Sequence, residues 1–218
     1  MNGRHDLGPA PIRPHDLLRV RGAGDLMGDE PPAWVRGALD LAPFVVVRRA
    51  ASAPPLIPVG VRGAGRAQRA AAFIPRAAVV GRMAPEDLAV ARAWRTTSRA
   101  MAFPHFALLE AVATTLEAAG LPWGPVGSLG FELASGHPCL TQTSDIDLLL
   151  RPPAPISRDL AASLCAVLSD FPIRIDAQMD VPGGAVALSE YASGAARIVL
   201  RSSDGPRLVT DPWQEDMP

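Results

Sequence analysis

Apolar positions recur at helical spacing in some stretches of this chain and alternate with polar ones in others. In AWVRGALDLA, Trp34, Val35, Ala38, Leu39 and Leu41 form a stripe, and Pro31-Pro32 stand where a helix can open. Pro85 followed by Glu86 and Asp87 predicts a second helix start, since negative charge suits a first turn. Phe106, Leu109, Val112, Ala113 and Leu116 share one face of a third helix, stopped by Gly120. A fourth, over residues 157–169, is capped by Ser157 and buries Leu160, Leu164, Val167 and Leu168. Strands are predicted at residues 44–47 and 56–61, in DIDLLL, and in PIRIDAQMD, where Ile173, Ile175, Ala177 and Met179 alternate with polar residues. After a Pro182-Gly183-Gly184 turn, residues 185–188 read as a strand, as do 198–200 and 208–209 around Asp204-Gly205. Residues 1–12 read as a loose arm, and there is no internal repeat.

The pattern predicts an α+β protein with a boundary near residues 95–104. Residues 1–98 form a smaller α+β N-terminal domain, and residues 99–218 carry a mixed sheet with helices.

Composition narrows the class. With 48% hydrophobic and 20% charged residues, the 218-residue chain is an ordinary globular protein of one large or two small domains. A net charge of −1 argues against a general nucleic-acid binder. No run approaches a membrane span, and the first residues lack the apolar core of a signal peptide. Cys139 and Cys165 form no metal-ligand spacing, and a reducing cytoplasm is the expected location. Every basic side chain is arginine. Any phosphate clamp here must therefore use guanidinium forks or backbone amides.

The candidate chemistry lies in the C-terminal half. In DIDLLL, alternation points Asp145 and Asp147 to one face, with Cα atoms roughly 6.8 Å apart. Bare carboxylates at that distance repel by about 2–3 kcal/mol at an effective dielectric near 20. A cation would relieve this, and magnesium held by carboxylates and substrate phosphate is the natural candidate. Asp176, on the polar face of its own strand, completes a three-carboxylate cluster if the two strands pair. Upstream, Gly127-Ser128 is a small-residue turn suited to phosphate: glycine permits close backbone approach and serine donates. The alternative is a solvated strand edge beside an ordinary capped turn.

Gly-Ser, then Asp-x-Asp, then a later Asp on a neighbouring strand resembles the polymerase-beta-type nucleotidyltransferase superfamily. The resemblance extends to RPHDLL, PAWVRGAL, PVGVRGAGRAQR, LPWGPVGSLGFELASG, SDIDLLLR, RIDAQMDVPGGAVALSEYA and DGPRLVTDPW, in this order from about Arg13 to Trp213. Together these are similar to the malonate decarboxylase holo-acyl-carrier-protein synthase family, the phosphoribosyl-dephospho-CoA transferases. The resemblance implies a nucleotidyltransferase-like sheet and two Mg2+ ions on Asp145, Asp147 and Asp176. It implies a donor, triphosphoribosyl-dephospho-CoA, whose triphosphate the Gly127-Ser128 turn holds. It also implies an acceptor, a serine of the malonate decarboxylase acyl-carrier subunit, with pyrophosphate leaving. The sixteen residues between Ser128 and Asp145 exceed the compact superfamily spacing, and the excess reads as a longer turn around 135–138.

Arg62, Arg66 and Arg69, among small residues, leave room for a phosphate or a carboxylate; the alternative is a solvated face. Arg174 shares the polar face of Asp176 and can neutralise an acid or touch pyrophosphate, with Arg151 a weaker candidate for the same work. None of His5, His15, His105 and His137 has ligand spacing. Two alternatives remain open: a nucleotidyltransferase with another acceptor, such as the citrate lyase carrier subunit, and a non-catalytic nucleotide-binding module.

Overall fold

The computed structural model describes residues 11–65 and 67–214. Five strands of the N-terminal half are β1 (Leu17–Arg19), β2 (Phe44–Val47), β3 (Leu56–Arg62), β4 (Arg69–Pro75) and β5 (Gly81–Met83), with helix α1 (Trp34–Leu41) between β1 and β2. They form an antiparallel sheet in the order β4-β3-β2-β1-β5. Alternation decides its faces. Val45, Val47, Val59 and Val61 point into a core closed by Val35 and Leu39 of α1. Val46, Gly60 and Arg62 therefore point to the other side, toward the C-terminal half. Leu41, expected in the α1 stripe, is 71% exposed, because it lies about 200° around the helix from Leu39, on the face away from Val35 and Leu39.

The chain then forms α2 (Pro85–Val90), α3 (Pro104–Ala118), β6 (Trp123–Pro125), α4 (Gly127–Ser135), β7 (Ile146–Leu150), α5 (Arg158–Ser169), β8 (Ile175–Val181), β9 (Gly184–Ala187), α6 (Leu188–Ala192), β10 (Ile198–Ser202) and β11 (Gly205–Val209). The second sheet has the order β11-β10-β9-β8-β7-β6; β7 and β8 are parallel and the other pairs antiparallel. A parallel neighbour requires a crossover, and α5 supplies it. Ser157 caps α5, accepting a bond from the Leu160 amide at 3.1 Å. Ile146, Leu148 and Leu150 pack with α3 residues Leu109, Val112 and Leu116 and with α5 residues Ala161, Leu164 and Leu168. Val167, expected in the α5 stripe, is instead exposed, and Ala161 takes the buried place.

The whole is α+β, with a smaller N-terminal sheet. Ala89 and Trp94, upstream of residue 98, already belong to the second core. The two halves meet through a small apolar cluster in which Leu17, Phe44 and Val46 pack with Phe131 and Ala134 of α4. Beside it lies an ion cluster centred on the buried Arg151. This guanidinium bonds Glu86 at 2.7 and 2.9 Å, Asp180 at 2.9 Å and the Pro14 carbonyl at 2.6 Å. Burial opposes the Glu86 charge, but the bonds from Arg151 outweigh it and hold the Glu86 pKa below its ordinary value. Arg151 is therefore a joint between the halves and not a partner for pyrophosphate. Among the described residues, no helix is long and apolar enough to cross a membrane. The expected N-terminal arm lies mostly outside the described residues.

Candidate active site

The parallel register of β7 and β8 sets Asp147 directly opposite Asp176, because Ile146 aligns with Ile175. Asp145, two residues before Asp147, falls on the same face. The sequence does not contain this register; it follows from which apolar residues of both strands enter the core. Arg174 stands at the same edge, its guanidinium 3.6 Å from Asp145 and 3.9 Å from Asp176. The side chain is 72% exposed, so these pairs contribute at most about 1 kcal/mol and are readily displaced. Among the described residues, no group of three or more His, Cys, Asp or Glu side chains is placed to hold a metal ion. In chemical type the three carboxylates are hard oxygen donors of the kind magnesium takes, with the exposed Arg174 guanidinium beside them.

Gly127-Ser128 is not a free turn but the first residues of α4, directly after β6. Gly127 has φ +62°, and a Cβ there would lie 1.9 Å from Oδ2 of Asp147. The space a side chain would fill is occupied by the carboxylate of Asp147. The Val126 amide also donates to the Asp147 carbonyl at 2.9 Å, locking the junction to β7. Gly130 serves packing: a Cβ there would meet the Pro125 carbonyl at 2.3 Å. Ser128 Oγ accepts a hydrogen bond from Arg62 Nη2 of β3, and the Arg62 guanidinium lies 5.9 Å above the Phe131 ring. Serine thus faces the N-terminal half, whereas glycine faces the acids.

The excess length after α4 is organised by a residue that pattern reading passed over. Gly136 ends α4 with φ +70°, and the buried Glu132 accepts from the Cys139 and Leu140 amides at 2.7 and 2.8 Å. Arg99 pairs with Glu132 at 2.8 Å and donates to the Leu140 carbonyl. The available signal was one acid inside the apolar run GFELA. Ser144 then fixes the approach to β7: its Oγ accepts from the Thr141 amide at 3.1 Å and its carbonyl meets His105 Nε2 at 2.8 Å.

A cleft of about 540 Å3 opens between the two sheets, lined by His15, Arg62, Arg69, Gly127, Asp147 and Gln178 among others. Arg62 and Arg69, directly paired across β3 and β4, enter it from the N-terminal side. Arg66 lies outside the described residues. Arg69 also donates to the Gly65 and Gln68 carbonyls. His15, to which the sequence assigned no role, stands in the cleft wall with φ +71°. Burial holds its pKa below the ordinary value; Asp180 opposes this, and Arg49 and Arg151 add to it. It is therefore a neutral imidazole at pH 7.

An acidic strand face set against a guanidinium-lined cleft is suited to an enzyme that handles a phosphate-rich donor. Comparison with known proteins gives the family. Residues 13–85 match the N-terminal domain model, and residues 89–212 the C-terminal domain model, of phosphoribosyl-dephospho-CoA transferase MdcG. The chain belongs to this family of transferases. Among its relatives are phosphoribosyl-dephospho-CoA transferases of Pseudomonas aeruginosa, 42% identical over 92% of this chain and 93% of the relative, and of Azotobacter vinelandii, 42% identical over 93% and 95%. That of Pseudomonas fluorescens is 42% identical over 94% and 96%. No solved structure matches the chain.

Proposed function

We propose that the protein transfers a phosphoribosyl-dephospho-CoA group from triphosphoribosyl-dephospho-CoA to a serine of the malonate decarboxylase acyl-carrier subunit. The observation that carries the reading is the direct register of Asp147 with Asp176, Asp145 alongside, where Asp147 lines a cleft that Arg62 and Arg69 enter. The serine oxygen attacks the α-phosphorus, an oxygen–phosphorus bond forms, and the bond to the β-phosphate breaks in line. Pyrophosphate leaves with the bonding pair, and Asp176 accepts the serine proton. Positioning and charge supply most of the acceleration in such a reaction. Asp145, Asp147 and Asp176 would hold magnesium, which supplies positive charge against the triphosphate. Gly127 lets the Asp147 carboxylate take its position, and the Arg62–Ser128 pair steadies the mouth of the cleft.

Intact-mass measurement of the apo carrier subunit, incubated with the donor, magnesium and purified enzyme, tests the reading. A gain of one phosphoribosyl-dephospho-CoA, with one pyrophosphate released, is the expected result. Asp145→Asn, Asp147→Asn and Asp176→Asn each suppress it while the fold persists. Modification of the citrate lyase carrier alone, or full transfer by the Asp147 variant, would overturn it.

A further inference from the structure

A second chamber, also about 540 Å3, continues from the first and shares His15, Val46, Arg48 and Gln178 with it. Gln178 follows Asp176 by two residues on β8, so the chambers join about 7 Å from the acids along the strand. The far wall is set by sheet pairing. Asp180 on β8 aligns with Ala185 on β9, and Ala185 with Arg201 on β10. Directly paired residues point the same way, so Arg201 shares a face with Asp180, Gln178 and Asp176.

Two guanidinium groups of this chamber differ from the other arginines around it. Arg49 is committed to Asp180 at 2.6 Å, and Arg151 is enclosed by acids. Arg48 and Arg201 line the same chamber with no side-chain hydrogen bond or ion pair among the described residues. Arg48 comes from the end of the first sheet and Arg201 from the second. They flank the space from both sides, beside the Ser202–Pro206 hairpin.

We propose that this chamber binds the internal diphosphate of the donor's dephospho-CoA arm, between Arg48 and Arg201. The assignment rests on the reading of the protein as a phosphoribosyl-dephospho-CoA transferase. A diphosphate ester carries about two negative charges, which two unpaired guanidinium forks match. In the donor, the reacting phosphate and this diphosphate are separated by two ribose units. That separation needs two anion sites along one continuous cleft, and the continuous polar face of β8 provides the track. The triphosphate occupies the chamber of Arg62 and Gly127, and the dephospho-CoA arm runs toward Arg201.

The leaving pyrophosphate has the same chemistry, so the test separates the two. Titration calorimetry is run with dephospho-CoA and, in separate arms, with inorganic pyrophosphate plus magnesium, on wild type and Arg201→Ala. Arg201 lines only the second chamber. Its loss is expected to weaken dephospho-CoA about tenfold and to leave pyrophosphate within twofold. Arg201→Lys restores part of the loss. Arg201 is exposed and unpaired, so the unfolding midpoint is expected to stay at the wild-type value. Unchanged dephospho-CoA affinity in Arg201→Ala would overturn the proposal. Equal loss for both ligands would also overturn it and give the chamber to the leaving group. A wild type that fails to modify the carrier, yet binds dephospho-CoA through Arg201, would refute the proposed reaction and leave the diphosphate subsite standing.

Discussion

Substituting Gly127 by alanine tests whether the site depends on the seating of Asp147. Two costs are predicted, and they separate. The first is backbone strain: φ is +62°, and an L side chain in the left-handed region costs about 1–2 kcal/mol. The second is collision. The new Cβ would fall 1.9 Å from Oδ2, 2.8 Å from Cγ and 3.0 Å from Cβ of Asp147, so the carboxylate must rotate away. Asp147 is partly buried, so its contacts are screened by solvent and this rotation costs at most about 1 kcal/mol, but it removes a carboxylate from the reacting centre. The rate should fall at least about 10²-fold, some 2.7 kcal/mol of barrier. Gly136→Ala is the control: its φ is +70°, and nothing lies within 4 Å of the added Cβ. Urea denaturation should show similar losses for both variants, about 1–2 kcal/mol. Carrier modification, followed by intact mass, should separate them, with Gly136→Ala near wild type. Equal activity in the two variants would show that the position of Asp147 is irrelevant, and the account of the site would be wrong.

Other perturbations report on the frame around the site. Arg151→Met leaves Glu86, Asp180 and Asp16 short of a buried partner; because Arg13, Arg49 and Arg82 remain, the loss should be about 3 kcal/mol by denaturation, at the lower end for a broken buried pair. Glu132→Ala strands Arg99 and two amides and should cost about 3–5 kcal/mol, whereas Glu132→Gln keeps an acceptor for the amides and should cost less. His15 gives an acid-side pH dependence. Below the ordinary value of 6.5 the unfolded chain binds a proton that folded His15 resists, so stability falls with pH until the folded group titrates. Asn tolerates the left-handed backbone at this position, so His15→Asn should fold and flatten that slope in unfolding midpoints measured from pH 7 to pH 5.

Local pattern carried much of the fold. The α3 face, the α5 face apart from Val167, the Ser157 cap and the β10–β11 hairpin follow from spacing of three to four residues or from a two-residue turn. The short strands β1 and β5 and the small-residue strand β4 escaped, because three residues show no period and RAAAFIP shows little alternation. Helix α4 opens where the sequence predicts a turn. Its glycines are there for close approach to Asp147 and Pro125, and such a contact is invisible before the partner is known.

By itself the sequence determined the α+β class, the family, and the single face shared by Asp145 and Asp147, since two-residue alternation is a property of the strand alone. Only the tertiary structure decided that Asp176 stands opposite Asp147, that Gly127 yields its side-chain space to a carboxylate, and that Arg151 is a joint between halves. It also turned Arg62 toward Ser128 across sixty-six residues of chain. The physical reason is the range of the forces. Backbone geometry repeats over a few residues and can be read locally, whereas register is settled by which apolar residues of distant strands enter one shared core, and the Arg151 and Arg62 contacts by how the two halves meet.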